Sequence, residues 1–319
     1  MKLPYSLRAN QSKIIDSITS ALKNQNHLVL EAPTGSGKTF SSLAAALPFI
    51  ENSDMKIVYC VRTNSQQKQV IYELQKFKES GNKIKAIAIQ GREALCPQKK
   101  NDDELKKSNW SEKSKICNSL KLKSKLGENG CPFYSKLLRG GDSFTKKWSS
   151  EILTAQEFAK KAEEEGVCPY ELNKLMLKEA QVVIVPYVYF FDEFIRNYML
   201  GWMGTSIDKI IAIVDEAHNL PDWARGAASE SMTLKSITRA IDEVKDYGYQ
   251  LPEGRDPIHF LNLVEASMEK LSEEHISDEE EEEGHLPSHI VSLDSEVATF
   301  ETEMMSLGAM TLHRLKQDS

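Results

Sequence analysis

The residues best suited to chemistry lie in an eight-residue motif, APTGSGKT, at positions 32–39. The glycines of such a motif let backbone N–H groups close around phosphates at the start of a helix. Lys38 would reach the β- and γ-phosphates, and the Thr39 hydroxyl would ligate Mg²⁺. We expect ATP to be contacted by Gly35, Ser36, Gly37, Lys38 and Thr39. A simple turn between a strand and a helix is the alternative interpretation.

An acidic pair directly follows the apolar run at residues 210–214. Ligands of open parallel sheets bind at the carboxyl ends of strands, so Asp215 is placed to hold Mg²⁺ and Glu216 to polarise an attacking water. Together with Lys38, these two carboxylates form the predicted catalytic set. The alternatives are an ordinary solvated strand end for the pair and a core histidine for His218.

Four of the five cysteines, Cys96, Cys117, Cys131 and Cys168, are separated by 20, 13 and 36 residues. This spacing is wider than that of zinc ribbons or bacterial ferredoxins, so it leaves an iron–sulfur cluster, zinc and unligated thiols all open. All but Cys117 directly precede a proline. Cys60 lies inside an apolar run and is predicted to be a small buried hydrophobe.

The charge is unevenly distributed, although the 319-residue chain has a formal net charge of −7. Between residues 92 and 147 there are 14 Lys/Arg against 7 Asp/Glu, whereas residues 278–283 are all acidic. Aromatic side chains are mixed with the basic ones, which suits a single-stranded nucleic acid. A solvated lysine surface is the alternative. The basic set is Arg92, Lys99, Lys100, Lys106, Lys107, Lys113, Lys115, Lys136, Arg139, Lys146 and Lys147, and the aromatic set is Trp110, Phe133, Tyr134 and Trp148.

Apolar strand patterns alternate with amphipathic helical patterns through much of the chain. The predicted strands are residues 28–30, 56–61, 84–89, 182–185 and 210–214, and the predicted helices are residues 14–22, 41–47, 66–77, 234–244 and 260–271. This alternation predicts an α/β domain with a parallel sheet. Within residues 94–170 only 152–162 shows helical periodicity, so a small inserted segment stapled by its cysteines is predicted there.

Several motifs together resemble one helicase family. GSGKT with DEAH resembles superfamily 2 helicases, YCVRTN at residues 59–64 resembles the DNA-touching motif of XPD-like helicases, and RANQ at residues 8–11 resembles that family's opening motif. The resemblance extends from residue 8 to residue 218. It implies ATP contacts by Arg8 and Gln11, and single-stranded DNA contacts by Arg62, Thr63 and Asn64.

The resemblance also assigns roles to residues that spacing alone leaves open. XPD-like helicases carry a [4Fe–4S] cluster domain between the DNA-touching motif and DEAH, with four cysteines at comparable intervals. The resemblance therefore implies a cluster on the four cysteines above. It gives His218 a role in linking the ATP site to motor movement. It adds Tyr187 and Tyr189, in the segment at residues 185–191, as candidate residues for stacking on DNA bases, with core packing as the alternative. Arg92, from the basic set above, is a further candidate DNA contact.

The expected architecture is a RecA-like P-loop motor domain (residues 1–93 and 171–219), an iron–sulfur insertion (94–170) and a helical, arch-like domain (220–319). The family implies 5′ to 3′ movement on single-stranded, fork or bubble DNA, with repair factors as possible partners of the arch. No later motor motif follows residue 219, so we expect a truncated helicase that lacks its second motor domain. A DNA- or partner-binding module with a vestigial nucleotide site is the rival hypothesis.

No run of about 18 apolar residues and no hydrophobic signal core occurs, which predicts no membrane partner. The expected location is the cytoplasm, on the nucleoid, for an archaeal source, or the nucleus for a eukaryotic one.

Overall fold

The computed structural model describes residues 1–100, 110–228, 233–248 and 257–275. Contacts divide the chain into two units, Met1–Ala227 and Ala228–Ser319. The basic residues Lys106 and Lys107, the side chains of Lys100 and Trp110, and the acidic run at residues 278–283 lie outside what is described. The contacts do not separate residues 94–170 from the rest of the first unit, so the division into three domains remains a prediction.

Within the described residues of the first unit, parallel strands form one sheet in the order β2-β3-β1-β4. They are β1 (Lys56–Val61), β2 (Ala86–Ala88), β3 (Val182–Pro186) and β4 (Ile210–Val214). The register places Ile57 of β1 opposite Val182 on one side and Ile211 on the other. This arrangement confirms the predicted α/β class with a parallel sheet.

Helices connect these strands and surround the sheet. In the first unit they are α1 (Ala9–Lys23), α2 (Lys38–Ile50), α3 (Asn64–Glu79), α4 (Arg92–Leu95), α5 (Trp110–Lys125), α6 (Pro132–Trp148), α7 (Ala155–Glu164), α8 (Pro169–Met176), α9 (Tyr187–Phe191), α10 (Glu193–Met203) and α11 (Leu220–Ala228). Capping boxes start α3 at Thr63 and α7 at Thr154, where each threonine satisfies a free backbone N–H.

The two faces of the sheet are buried by different parts of the chain. Ile57 and Tyr59 of β1 point to one face, where they join a core with α2 and α3, while Val58 and Cys60 point to the other. That second core is completed from the cysteine-bearing segment, by residues that include Leu137, Trp148, Phe158, Val167 and Leu172. Cys60 is therefore a buried hydrophobe, as predicted.

Two expectations about local structure were wrong. The described part of residues 94–170 is largely helical and shares the core of the sheet, because its apolar residues pack onto the sheet as well as onto one another, as Trp148 does against Phe158. Residues 28–30 form no strand, and Val29 is 96% exposed. The run has only three apolar residues between His27 and Glu31, so it offers little apolar surface to bury, and it does not pair with the edge of β4, where the described sheet ends.

The described part of the second unit is a helix pair, α12 (Leu234–Tyr247) and α13 (Pro257–His275). Ile237 and Ile241 of α12 are buried with Val264 of α13. This confirms the helical character predicted for these residues, and their identity as an arch stays a prediction. None of the helices in the described ranges combines the length and apolar character that a membrane crossing requires.

Candidate functional site

The glycine-rich loop has the backbone shape that phosphate binding needs. Gly35 and Gly37 both adopt left-handed conformations, with φ of 79° and 81°, which cost L-residues about 1–2 kcal/mol. A Cβ on Gly37 would lie 2.2 Å from Gln11 Nε2. Ser36 lies between the glycines, and α2 begins immediately afterwards at Lys38. The loop therefore presents a helix N-terminus, as the motif predicts.

Arg8 and Gln11 hold this loop from the other side. The Arg8 guanidinium donates to the Gly35 carbonyl at 3.3 Å, and Gln11 Nε2 donates to the Ser36 carbonyl at 3.3 Å. The Arg8 backbone N–H in turn donates to Gln11 Oε1 at 2.9 Å. Both residues implied by the opening motif thus lie directly against the loop.

The structure brings Lys38 near the acidic pair at the end of β4. Lys38 Nζ donates to the Ala32 carbonyl at 2.9 Å, and Thr39 is buried at the first turn of α2. Burial, and then the neighbouring Glu216, raise the pKa of Asp215, while Lys38 opposes that rise. Lys38 is therefore near enough to Asp215 to lower its pKa, as expected if the two residues face one nucleotide.

Glu216 has a strained backbone that several groups stabilise. Its φ and ψ are 49° and 46°, in the left-handed region that non-glycine residues seldom occupy. Its carbonyl accepts hydrogen bonds from Asn219 N at 2.9 Å, Asn219 Nδ2 at 3.1 Å and the Tyr187 hydroxyl at 3.1 Å. Its carboxylate lies 3.3 Å from His218 Nδ1.

Tyr187 is placed differently from the stacking role proposed for it. Its side chain is only 3% exposed and packs edge-on against Phe191 and Trp223. Its hydroxyl donates to the Asp215 and Glu216 carbonyls. A ring buried in this way has no face free for a DNA base, so the structure corrects the stacking role and connects Tyr187 to the catalytic pair instead.

The three residues expected to touch DNA follow the carboxyl end of β1 and are exposed. Arg62 donates to Asn219 Oδ1 at 2.6 Å. Thr63 caps α3, and Asn64 Oδ1 accepts from Gln90 Nε2 at 3.0 Å. Arg62 is thus accessible to a phosphate while it contacts the turn after DEAH. Asn219, which forms this link, had no motif to reveal it.

The four cysteines lie at helix ends or on a helix. Cys96 follows α4, Cys117 lies within α5, and Cys131 and Cys168 are the N-caps of α6 and α8. Their prolines thus occupy the first helical positions, where the missing N–H costs nothing. Backbone amides of Phe133 and Tyr134 donate toward Cys131, so the sulfur sits where a helix N-terminus favours negative charge.

The charges of the cysteine sulfurs affect one another's pKa. Burial raises the pKa of Cys117, Cys131 and Cys168, that of Cys168 to about 12. Cys96 and Cys131 raise the pKa of Cys117 further, and Cys117 and Cys131 do the same to Cys168. The thiols are thus near enough to affect one another's pKa, and a cluster would bind them as thiolates by displacing their protons. Among the described residues, no three His, Cys, Asp or Glu side chains converge as ligands of a single metal ion.

Arg92 lies near Cys117 and Tyr170. Its guanidinium donates to Ser114 Oγ at 3.2 Å, lies 5.2 Å over the Tyr170 ring and lowers the pKa of Cys117. It is half-buried. The DNA contact predicted for Arg92 stays a prediction. The position of Arg92 near Tyr170 and Cys117 was not predicted from the sequence.

The basic residues of the predicted DNA surface differ in availability. Lys99 and Lys113 pair with Glu93, and Lys147 pairs with Glu165. Lys136, Arg139 and Lys146 are exposed on α6. Phe133 and Tyr134 are only partly exposed, and Trp148 is fully buried in the core, so Trp148 offers no face to a base.

A parallel sheet, a glycine-rich loop leading into a helix and an acidic pair at the carboxyl end of a strand are the features expected of a P-loop motor domain. The sequence profile of the DEAD_2 family matches residues 59–237, more than half of the chain. The chain belongs to this family, that of the XPD-like (Rad3-type) superfamily 2 helicases.

Individual relatives agree with this assignment. The chain is 26% identical over 282 residues to a regulator of telomere elongation helicase 1 homolog of Caenorhabditis elegans, covering 77% of this chain and 26% of the relative. For the regulator of telomere elongation helicase 1 of Homo sapiens the identity is 24% over 287 residues, covering 76% and 22%. For the ATP-dependent DNA helicase chl1 of Neosartorya fischeri it is 25% over 216 residues, covering 62% and 24%.

A solved XPD helicase structure shares the fold, with a TM-score of 0.50 at 24% identity over 74% of this chain and 37% of that chain. The chain thus spans about a quarter of the length of the curated relatives that it matches.

Proposed function

We propose that this chain is the front part of an ATP-dependent 5′ to 3′ DNA helicase acting in DNA repair. It binds ATP·Mg²⁺ and one DNA strand, and a [4Fe–4S] cluster joins Cys96, Cys117, Cys131 and Cys168. Its motor is completed by a second RecA-like domain, and its site of action is chromosomal DNA, in a nucleus or a nucleoid.

The observation that carries this proposal is the convergence of the loop and DEAH on one another. The left-handed glycines, the buried Thr39 and the influence of Lys38 on Asp215 support a phosphate and Mg²⁺ site at the carboxyl edge of the sheet. All residues needed for nucleotide binding are present, which favours an enzyme over a module with a vestigial site.

In this mechanism Lys38 and the loop amides bind the β- and γ-phosphates, and Asp215 and Thr39 hold Mg²⁺. Glu216, fixed by its three carbonyl hydrogen bonds, orients the attacking water and accepts its proton. When bound, a cluster would tie α4, α5, α6 and α8 together, since each of the four cysteines lies on or beside one of them.

Nucleotide binding is the first test. The 319-residue chain should bind ATP·Mg²⁺, and Lys38→Ala should abolish binding, as measured by calorimetry. Lys13→Ala, on the exposed surface of α1, is the matched control and should bind normally. Equal binding by all three proteins would contradict the nucleotide site.

Hydrolysis is the second test. An arginine finger is worth about 10³–10⁵ in rate, and the second motor domain would supply it. We therefore expect hydrolysis near background from this chain, even with DNA, and DNA-stimulated hydrolysis once a second motor domain is appended. Glu216→Gln should stop hydrolysis in the longer protein while sparing binding. Brisk hydrolysis and strand separation by the 319-residue chain alone would refute this reading.

A further inference from the structure

Asn219 uses every polar atom of its side-chain amide. Its Oδ1 accepts from the Arg62 guanidinium at 2.6 Å, and its Nδ2 donates to the Glu216 carbonyl at 3.1 Å and to His218 Nε2 at 3.0 Å. One side chain therefore touches a residue expected to meet DNA and two residues of the DEAH motif.

The chemistry of the partners fixes the direction of this amide. Arg62 can only donate and the Glu216 carbonyl can only accept, so the oxygen and nitrogen of Asn219 cannot be exchanged. Because Nδ2 donates to His218 Nε2, the neutral imidazole carries its proton on Nδ1. That nitrogen lies 3.3 Å from Glu216 Oε2. Asn219 thus orients both the carbonyl and, through His218, the carboxylate of Glu216.

We propose that Asn219 is a positioning residue that couples the contact between Arg62 and a DNA phosphate to the placement of Glu216 beside ATP·Mg²⁺. This inference rests on the proposed function and deepens it, because it names the connection between the DNA site and the nucleotide site.

The physical basis is that a bound DNA phosphate would restrict the motion of Arg62, Asn219 and Glu216 in turn. Arg62 is exposed, and a guanidinium has five N–H donors, so it can hold Asn219 and a phosphate oxygen together. A bound phosphate restricts the guanidinium, which restricts Asn219 and then the strained Glu216 backbone. A second ligand then meets a site that is already ordered, which is positive cooperativity.

A purely local role is the competing explanation. The backbone N–H of Asn219 also donates to the Glu216 carbonyl, at 2.9 Å, and this turn does not depend on the side chain. If the side chain only stabilised the turn, its loss would lower the melting temperature and leave cooperativity between DNA and nucleotide unchanged. The coupling factor therefore separates the two explanations.

The experiment measures the affinity of the 319-residue chain for a non-hydrolysable ATP analogue with Mg²⁺, with and without a saturating oligo-dT strand. We expect the strand to tighten nucleotide binding about fivefold or more, a typical size for coupling between sites. Asn219→Ala should reduce this factor to about one. Asn219→Asp keeps the acceptor for Arg62 but cannot donate to Glu216 or His218, so it should also lose the coupling.

Arg139→Ala is the matched control, because Arg139 is exposed on α6 and is expected to contribute only charge. It should weaken DNA binding and retain the full coupling factor at saturating DNA. If Asn219→Ala fails to fold, Asn219→Asp and Arg62→Gln decide the question, and both should lose the coupling.

Each outcome has one meaning. Coupling retained in the Asn219 variants, or coupling absent from the unsubstituted chain although both ligands bind, overturns this inference and leaves the proposed function standing. Failure of the unsubstituted chain to bind nucleotide or DNA overturns both. Loss of coupling in the Asn219 variants with both individual affinities preserved establishes the inference.

Discussion

The Tyr187 hydroxyl donates to the carbonyl of Glu216 at 3.1 Å, so a buried tyrosine supports the strained backbone of the predicted catalytic carboxylate. Tyr187→Phe should destabilise the chain by about 1 kcal/mol, as expected for one lost hydrogen bond, while leaving affinity for single-stranded DNA unchanged. Denaturant unfolding and a DNA titration measure the two effects. Tyr198→Phe, in an exposed position on α10, is the control and should be neutral. A selective loss of DNA binding by Tyr187→Phe would restore its role as a DNA contact.

The two left-handed glycines should respond differently to substitution. Both Gly35→Ala and Gly37→Ala incur backbone strain of about 1–2 kcal/mol. Only the Cβ at Gly37 meets another residue, since Gly35 has open space around it. Gly37→Ala should therefore weaken ATP binding more than Gly35→Ala, by roughly tenfold. Equal losses from the two single variants would show that the Gln11 side chain does not obstruct a Cβ at position 37.

The proposed cluster on the four cysteines predicts the colour and the metal content of the purified protein. Protein purified without oxygen should be brown, with about four iron and four sulfide per chain, as a cysteine-ligated [4Fe–4S] cluster requires. Cys131→Ser should lose the colour and unfold the surrounding helices. Cys60→Ser removes a thiol from the core of the sheet and should keep the colour. Stoichiometric zinc without iron, by elemental analysis, would contradict the cluster.

Arg92 should affect iron more than DNA. Its guanidinium lies over Tyr170 and lowers the pKa of Cys117, so it favours the anionic sulfur that iron binds. Arg92→Gln should release iron faster to a chelator than the unsubstituted chain does. The matched variant Arg139→Gln should keep its iron. If the two variants lose DNA affinity equally and neither loses iron, then Arg92 near Cys117 does not stabilise the bound iron.

Single-stranded DNA should bind this chain better than duplex, with an affinity that falls steeply as salt rises. Reversing the charge of exposed Lys136, Arg139 and Lys146 on α6 should remove much of this binding and flatten the salt dependence. Reversing Lys13 and Lys23 on α1 changes charge elsewhere on the first unit and should have little effect. Fluorescence anisotropy measures both, and equal loss in the two variants would indicate a general charge effect.

Local sequence patterns predicted the elements whose signal is local. The apolar run at residues 56–61 and that at 210–214 became β1 and β4 with the predicted bounds. β1 is buried on both faces, whereas β4 is buried mainly at Ile211 and pairs with β1 along its length. The run at residues 28–30 is shorter, and it does not pair with β4 although the outer edge of β4 is open among the described residues, because pairing is a property of the whole sheet.

Site residues divide in the same way. Lys38 and Asp215 belong to motifs whose geometry is encoded within a few residues. The contact between Arg62 and Asn219 depends on two loops brought together by the pairing of β1 with β4, so neither residue's neighbours in sequence could indicate it. Likewise, the position of Arg92 over the Tyr170 ring follows from the packing of α4 near α8, which lie far apart in the chain.

The outer edge of β4 has a practical consequence for handling the protein. Among the described residues no strand pairs with that edge, and the apolar residues 28–30 lie exposed nearby in sequence to the phosphate loop. Unpaired N–H and C=O groups along a strand are a template on which another chain can add. The protein should therefore self-associate as its concentration rises. The contact between copies should form at the outer edge of β4 rather than at the charged helices.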